Sequence, residues 1–148
     1  MLNQQLVYLT QTDTTVGFLS QNSEKLSASK QRDNSQAFIK CVDSLNTLQQ
    51  FTRVPRKYKN FVRRSSRITI VYPNNQAIRV VKDENHLKFL SKFKWFYSSS
   101  ANKTKKNFDE KYAKEKADII VEDKKGLFEG TSSFIIKINN KKARRLRW

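Results

Sequence analysis

Short apolar runs of four to six residues, each bounded by polar or charged segments, recur along the whole 148-residue chain. They are rich in β-branched and aromatic side chains, which at this run length is typical of β-strands. The predicted strands are residues 6–9, 37–42, 67–72, 77–81, 94–97, 118–122 and 133–138. The sequence therefore predicts a fold built around a β-sheet.

Segments with helical spacing lie between several of these strands. Asp43 is a candidate N-cap, and Tyr58, Phe61 and Val62 would share the apolar face of one helix. The predicted helices are residues 44–51, residues 55–64, a segment beginning after Asp83, and residues 107–117. We predict no regular strand between residues 10 and 37. A polar turn at residues 10–15 is followed by a short helical or irregular piece, which leads to residues 29–36, a segment that resembles a polar turn.

The alternation of strands and helices indicates the α/β class. The neighbouring strands 67–72 and 77–81 are typical of a hairpin, so the sheet is expected to be mixed rather than wholly parallel. With 148 residues, the chain is long enough for one domain and too short for two ordinary ones. We therefore predict a single α/β domain over residues 1–148, with a twisted mixed sheet and helices on its faces.

The net charge of +17 is distributed unevenly. Residues 1–52 hold four basic and four acidic side chains, so the excess lies in residues 53–148. The segment from Arg53 to Arg67 has seven basic residues and no acidic one. This asymmetry indicates a polyanion partner, for which nucleic acid or a polyphosphate is the best candidate, although a generally lysine-rich surface gives the same count. The candidate RNA-binding residues are Arg56, Lys57, Arg63, Arg64 and Arg67.

Several functional classes receive no support from the composition. The single Cys41 excludes an internal disulfide framework and is expected to be a core thiol, and the single His86 is expected at the surface or in a cap. No zinc site, histidine-centred triad or glycine-rich phosphate loop is predicted, and no metal ligands are assigned. No run is long enough to span a membrane and no signal peptide is recognisable, so we expect a cytoplasmic protein that does not bind membranes.

Polar motifs occur in a fixed order along the chain. In sequence they are Thr12-Asp13-Thr14, Lys30-Gln31-Arg32, Thr69, Arg79, Ser100-Ala101-Asn102, Thr131-Ser132-Ser133 and Arg145-Leu146-Arg147. Each of them alone could arise by chance. Together, the set resembles the YrdC-like family of threonylcarbamoyl-adenylate synthases. This chain departs from the first motif of that family at Gln11 and Val16.

The resemblance implies a twisted mixed sheet around a basic cavity, and an enzyme of the nucleotidyltransferase class. Such an enzyme converts L-threonine, bicarbonate and ATP, with Mg²⁺, into threonylcarbamoyl-adenylate and pyrophosphate. The product serves tRNA threonylcarbamoyladenosine modification, so tRNA and other tRNA-modification proteins become expected partners.

The resemblance also assigns roles to residues. Lys30 and Arg32 would be catalytic and would contact the carbamate and the phosphates, from the same side of an extended segment. Thr12 and Thr14 would bind the amino-acid part. The nucleotide would be held by Thr69, Arg79, Ser100, Asn102, Ser132 and Arg147, with Arg145 as an alternative to the last.

Structural explanations remain open for these motifs. The structural alternatives are a local turn at residues 12–14 and a solvated basic turn at Lys30 and Arg32. Two other functions also remain open: a non-catalytic RNA-binding module (for tRNA or rRNA) on the same fold, and a small basic ribosome-associated protein.

Overall fold

The computed structural model describes residues 3–30, 38–102, 107–123 and 125–147. Within these ranges the chain forms nine strands, five α-helices and one short 3-10 helix. In chain order the elements are β1 (Tyr8–Gln11), β2 (Val16–Ser20), α1 (Ser23–Lys30), β3 (Ile39–Val42), α2 (Leu45–Gln49), the 3-10 helix (Arg56–Tyr58), α3 (Lys59–Arg64), β4 (Ile68–Val71), β5 (Ala77–Val80), α4 (Glu84–Leu90), β6 (Trp95–Ser100), α5 (Glu110–Lys116), β7 (Ile119–Ile120), β8 (Phe134–Ile138) and β9 (Ala143–Arg147).

The chain divides into two compact units. Unit 1 comprises Met1–Phe38 and Phe96–Thr131, and unit 2 comprises Ile39–Trp95 and Ser132–Trp148. Each unit combines strands and helices, and each contains both parallel and antiparallel strand pairs. The predicted α/β class with a mixed sheet is confirmed.

In unit 1 the strand order is β7-β1-β2-β6. β1 and β2 form an antiparallel hairpin, and β2 pairs antiparallel with β6. The core beneath them contains Leu9, Phe18, Leu26 and Ala113, so α1 and α5 each contribute one apolar side chain to it. Burying side chains of the size of Leu9 and Phe18 stabilises the unit by about 1.5–3 kcal/mol each.

In unit 2 the strand order is β3-β5-β4-β8-β9. The predicted hairpin is present, since β4 and β5 are antiparallel, whereas β4 pairs parallel with β8. The core of this unit includes Leu48, Val62, Ile70 and Ile138. Cys41 on β3 is a buried thiol, as predicted.

Two strands, β2 and β9, were not predicted. β2 occupies residues for which no strand was expected, because its Gly17 and all-buried pattern conceal the alternation of a half-exposed strand. α1 occupies the segment for which a short helical or irregular piece was expected, and it also takes in Ser29 and Lys30 of the expected polar turn. β9 follows the last predicted strand and forms within the basic tail, for which no secondary structure was predicted.

Smaller corrections concern single residues. The side-chain cap of α2 is Ser44, whose oxygen accepts the Thr47 backbone N–H, and not Asp43. Phe61 is 38% exposed, because α3 begins only at Lys59 and its short length buries Val62 alone. His86 is buried in α4 rather than at the surface.

Candidate functional site

Lys30, Ser100 and Asn102 lie together in unit 1. The Lys30 ammonium donates hydrogen bonds to the Ser100 carbonyl oxygen at 2.8 Å, to Ser100 Oγ at 3.3 Å and to Asn102 Oδ1 at 2.9 Å. Ser100 Oγ itself donates to Asn102 Oδ1 at 2.5 Å. Lys30 is only 4% exposed, so its charge is held in a largely desolvated position by these neutral oxygens.

The end of α1 positions this ammonium. Lys30 is the last residue of the helix, where unpaired carbonyl groups favour a cation. The preceding turn is tied to α5, because Tyr112 Oη donates to the Ser29 carbonyl oxygen at 2.6 Å and Ser29 Oγ contacts the Lys116 carbonyl oxygen at 3.4 Å. The expectation that Lys30 lies on an extended segment is therefore wrong, since tertiary contacts stabilise a helix there. Arg32 lies outside the described residues.

β6 brings Ser100 to this point by continuing through all three serines of the Tyr97-Ser98-Ser99-Ser100 segment. Ser100 is the register partner of Gly17 on β2. A Cβ atom on Gly17 would lie 2.9 Å from the Ser99 carbonyl oxygen and 3.2 Å from Thr12 Cγ2. The glycine thus allows β6, β2 and the turn after β1 to approach one another closely.

The turn between β1 and β2 is closed by Thr12. Its hydroxyl oxygen accepts the backbone N–H groups of Thr14 and Thr15, both at 3.2 Å, and donates to the Thr15 carbonyl oxygen at 2.5 Å. The Thr12 hydroxyl is therefore used within the turn. Thr14 Oγ1 lies 3.4 Å from Thr12 Oγ1, a long contact that leaves it capacity to bind a ligand.

A segment before β8 packs against this turn. Gln11 Oε1 accepts the Phe128 backbone N–H at 2.9 Å, and Gly130 N–H donates to Thr15 Oγ1 at 2.9 Å. A Cβ atom on Gly130 would overlap the Thr14 carbonyl oxygen. The contacts of Gln11 and of Gly130 fix the position of Thr14. The sequence analysis identified neither residue as a positioning residue.

A second polar cluster lies in unit 2. Thr69 Oγ1 and Ser133 Oγ are 2.8 Å apart, and Arg79 Nη1 donates to Thr69 Oγ1 at 3.4 Å. Arg147 Nε donates to the Ser133 carbonyl oxygen at 2.9 Å, and its Nη2 to Ser133 Oγ at 3.1 Å. Thr69, Arg79 and Ser133 are almost completely buried.

The two guanidinium groups of this cluster carry like charges. Partial burial, and then the positive charge of Arg79, lower the pKa of Arg147 below its ordinary value. Because like charges disfavour each other, an anion bound between their donors would stabilise both. The cluster therefore has the chemistry of a phosphate or carboxylate site.

Strand register explains which residues join this cluster. Thr69 pairs with Ile135, and Ile135 pairs with Arg147, so these residues and Ser133 share one face of the sheet. Ser132 is exposed, and its neighbour Ser133 carries the contacts. Applying the two-residue alternation to the start of β8 would have identified Ser133. Arg145 pairs with Ile136 on the other face, where its guanidinium lies 5.7 Å from the ring centre of Phe134.

The five residues predicted to bind RNA all lie in unit 2 and are all exposed. They are Arg56 and Lys57 on the 3-10 helix, Arg63 and Arg64 on α3, and Arg67, which precedes β4. The Lys57 ammonium donates to the Lys141 carbonyl oxygen at 2.7 Å. The surface can offer several cations to a polyanion, and RNA binding by these residues stays a prediction.

Two further classes of feature were sought. Within residues 3–30, 38–102, 107–123 and 125–147, no group of three His, Cys, Asp or Glu side chains is arranged to hold a metal ion. No helix in the same ranges has the length and apolar character needed to cross a membrane.

The fold and its two polar clusters define a mixed α/β protein of the YrdC-like class. The family model Sua5_yciO_yrdC, described as telomere recombination, matches residues 1–148, so the chain belongs to the Sua5/YciO/YrdC family. The family predicted from the ordered motifs is thus confirmed. No protein of curated function matches the chain significantly.

Solved structures with the same fold have low sequence identity. P. abyssi Sua5 complexed with L-threonine has a TM-score of 0.81 at 18% identity, covering 97% of this chain and 50% of that one. E. coli YciO has a TM-score of 0.75 at 13% identity, with 97% and 82% covered. Full-length HypF in its phosphate- and nucleotide-bound form has a TM-score of 0.76 at 11% identity, with 97% and 27% covered. The chain therefore spans about half the length of the Sua5 structure that it resembles.

Proposed function

We propose that the chain is an L-threonylcarbamoyl-adenylate synthase acting in tRNA threonylcarbamoyladenosine modification. The observation that carries the proposal is the buried Lys30 ammonium at 2.8–3.3 Å from three oxygens of Ser100 and Asn102. Lys30 is 70 positions from Ser100 in the sequence, and the three residues belong to two of the motifs that resemble the family.

The reaction requires positive charge more than acid–base catalysis. The threonine amino group and bicarbonate condense to a carbamate with loss of water, and a carbamate oxygen attacks the α-phosphorus of ATP. The bond from the α-phosphorus to the bridging oxygen breaks, and pyrophosphate leaves with its electron pair. Because two anions must approach each other, positioning and electrostatic stabilisation supply most of the catalysis.

In unit 1, Lys30 would be catalytic by neutralising the carbamate and the phosphate that it approaches, and Ser100 with Asn102 would bind nucleotide oxygens. Arg32 is proposed as its catalytic partner on sequence grounds alone. We assign Thr14 to the amino-acid part of the substrate, because its hydroxyl has capacity left for a ligand. Thr12 supports Thr14 by closing the turn.

In unit 2, Arg79 and Arg147 would bind phosphate oxygens of the nucleotide, with Thr69 orienting Arg79. Ser132 was the serine expected to join them, and Ser133 makes the contacts that suit this role. ATP with Mg²⁺ is a substrate in this scheme, alongside L-threonine and bicarbonate.

The comparisons support the proposal at the level of ligand class. A Sua5 structure of the same fold was solved with L-threonine, and a HypF structure with phosphate and nucleotide. At 11–18% identity these likenesses carry the fold, and the assignment of substrates to this chain remains our inference.

The direct test is incubation with ATP, Mg²⁺, L-threonine and bicarbonate, with detection of pyrophosphate and of the adenylate by mass. Omission of threonine must stop product formation, which separates the synthase reaction from simple ATP hydrolysis. We expect Lys30→Ala and Arg32→Ala to abolish turnover. Pyrophosphate release that continues without threonine would reject the proposed substrate.

A second candidate function is a non-catalytic RNA-binding module for tRNA or rRNA, favoured by the exposed cations at Arg56, Lys57, Arg63, Arg64 and Arg67. RNA binding through several phosphates should weaken by orders of magnitude between about 50 and 200 mM salt. Charge reversal at both positions 63 and 64 should weaken it and spare turnover. Loss of RNA binding in the position-30 variant, with turnover intact, would reverse the two assignments.

Both functions are compatible, because a synthase can pass its product to tRNA-bound modification proteins. We propose a cytoplasmic setting for either. A ribosome-associated role is the third possibility, and it leaves the polar clusters of both units without a function.

A further inference from the structure

Unit 2 contains a cavity of about 670 Å³ between α2, the segment that follows it, and α3. We call it the α2–α3 pocket. Its accessible apolar wall is formed by the partly buried Leu45, Phe51 and Val54, and the core residues Leu48 and Val62 lie behind them. The volume lies in the range of about 300–1,000 Å³ that is usual for small-ligand sites. Neither the family motifs nor the proposed synthase reaction uses any of these residues.

The charged residues of the pocket are all positive. Arg53, Lys59 and Arg63 contribute cations, and none of its described lining residues is acidic. Arg53, Lys59 and Arg63 are exposed, so their charged groups can reach a ligand without the cost of full burial. An apolar wall beside three cations fits a ligand with an apolar body and an anionic group.

Two amides and the Thr52 side chain complete the lining. Gln49 and Gln50 are exposed at the end of α2 and border the same cavity. An amide side chain offers both hydrogen-bond donors and an acceptor, the combination that reads the edge of a nucleobase. An acidic peptide also offers backbone donors and acceptors to these amides, so competition by such a peptide is one arm of the test below.

The pocket also adjoins a longer cationic surface. Arg56, Lys57 and Arg64 are exposed on the same stretch of chain and do not line the cavity. A strand of RNA could place successive phosphates on these cations while one base enters the pocket, because unpaired bases are free to leave the stack.

We infer that the α2–α3 pocket binds one unpaired nucleotide of single-stranded RNA, with the base against the apolar wall and the adjacent phosphate at Arg53, Lys59 and Arg63. This gives the RNA-binding role a specific site and predicts a preference for unpaired over duplex RNA. It does not depend on adenylate synthesis.

The test compares a fluorescein-labelled 12-nucleotide single strand with a blunt duplex of the same length, by fluorescence anisotropy on the full chain. The measured quantity is the ratio of the two dissociation constants. Arg63→Ala and Arg64→Ala are a matched pair, since both residues are exposed neighbours on α3 and only Arg63 lines the pocket.

We expect wild-type protein to prefer the single strand. Arg63→Ala should reduce that preference by about ten-fold, because it removes a charged contact to the phosphate beside the inserted base, which a duplex does not place at the pocket. Arg64→Ala should weaken both RNAs equally and leave the ratio unchanged. Gln50→Glu, which keeps the side-chain shape, should also lower the preference by placing a negative charge beside the pocket.

Four other outcomes would overturn the inference. Equal binding of duplex and single strand, with the two arginine variants behaving alike, would overturn the pocket and leave a general RNA surface. Equal competition by a poly-glutamate peptide and by unlabelled single strand would show a site for charge alone. Tight binding of free AMP, unaffected by single-stranded RNA, would assign the pocket to a mononucleotide. Failure to bind any RNA would reject both this inference and the RNA-binding role, with the synthase assay unaffected.

Discussion

Replacing Lys30 by methionine would remove a buried positive charge while keeping a flexible chain of similar length. The variant loses three hydrogen bonds, to the Ser100 carbonyl oxygen, Ser100 Oγ and Asn102 Oδ1. The hydrogen bond from Ser100 Oγ to Asn102 Oδ1 at 2.5 Å remains available, so these two residues are not left wholly unsatisfied.

The structure sets the size of the expected effects. Hydrogen bonds to charged groups are each worth about 1.5–3 kcal/mol, but the ammonium also suffers a desolvation penalty of several kcal/mol. Because these two contributions oppose each other, we expect the free energy of unfolding to fall by only about 1–3 kcal/mol. Loss of one fixed charge aimed at developing negative charge should lower turnover by about 10²–10³-fold.

Two assays separate these effects. Urea unfolding gives the change in stability, and pyrophosphate release with threonine, bicarbonate and ATP gives the turnover. Lys25→Met is the matched control, because Lys25 lies on the same helix and forms an exposed ion pair with Asp118 at 3.0 Å. It should cost less than about 1 kcal/mol of stability and leave turnover unchanged.

The reasoning would be refuted if Lys30→Met lost stability in the expected range but kept wild-type turnover. Lys30 would then be a structural clamp on the segment that contains Ser100 and Asn102. An equal loss of turnover in Lys25→Met would attribute the effect to α1 as a whole.

Three other substitutions test neighbouring features. Gly130→Ala should displace the turn carrying Thr14, because its Cβ would overlap the Thr14 carbonyl oxygen, and we expect a raised KM for threonine with a smaller change in the KM for ATP. Thr69→Val keeps the side-chain shape but leaves Ser133 without its 2.8 Å partner, so stability should fall by about 1–3 kcal/mol and ATP affinity should fall in isothermal titration. The Asp118 pKa is lowered, first by a backbone hydrogen bond, so its stabilising effect should be present above the ordinary carboxyl pKa and disappear as pH falls through the lower folded value. Unfolding measured from pH 6 to pH 2 should show wild type losing its advantage over Asp118→Asn across that interval, and a constant difference would contradict this cause.

The sequence was sufficient to predict strands whose alternation or β-branched composition is strong. β3, β4, β5 and β8 all fall within predicted segments, and the order of the polar motifs identified the family. β2 was missed because Gly17 and Ser20 interrupt its apolar run and because a strand buried on both faces has no alternation to detect.

The position of Lys30 shows a second limit. The segment Ser23–Lys30 has little helical amphipathicity in its sequence, and only Leu26 is a large apolar residue in it. Its helix is fixed by contacts with residues more than 80 positions away, including the Tyr112 hydroxyl on the Ser29 carbonyl oxygen. Local propensity cannot report such contacts.

Site chemistry was easier to predict than site geometry. Residue types suited to anions were identified in both units, but the role of Thr12 in closing its own turn depends on backbone geometry. The choice between Ser132 and Ser133 depends on register, and a shift by one residue reverses the face on which a side chain lies. No sequence pattern marked Gly130, because its role is only to leave space for the Thr14 carbonyl oxygen.

β9 ends the strand order of unit 2, and all five of its residues, three of them arginines, are exposed. An outermost strand has backbone groups ready to recruit another chain, and charge of one sign keeps two such borders apart. That repulsion is screened by salt and cancelled by bound polyanions. Conditions that neutralise the arginines of β9 would therefore also remove a barrier to self-association. The solubility of this protein is thus coupled to the anions around it.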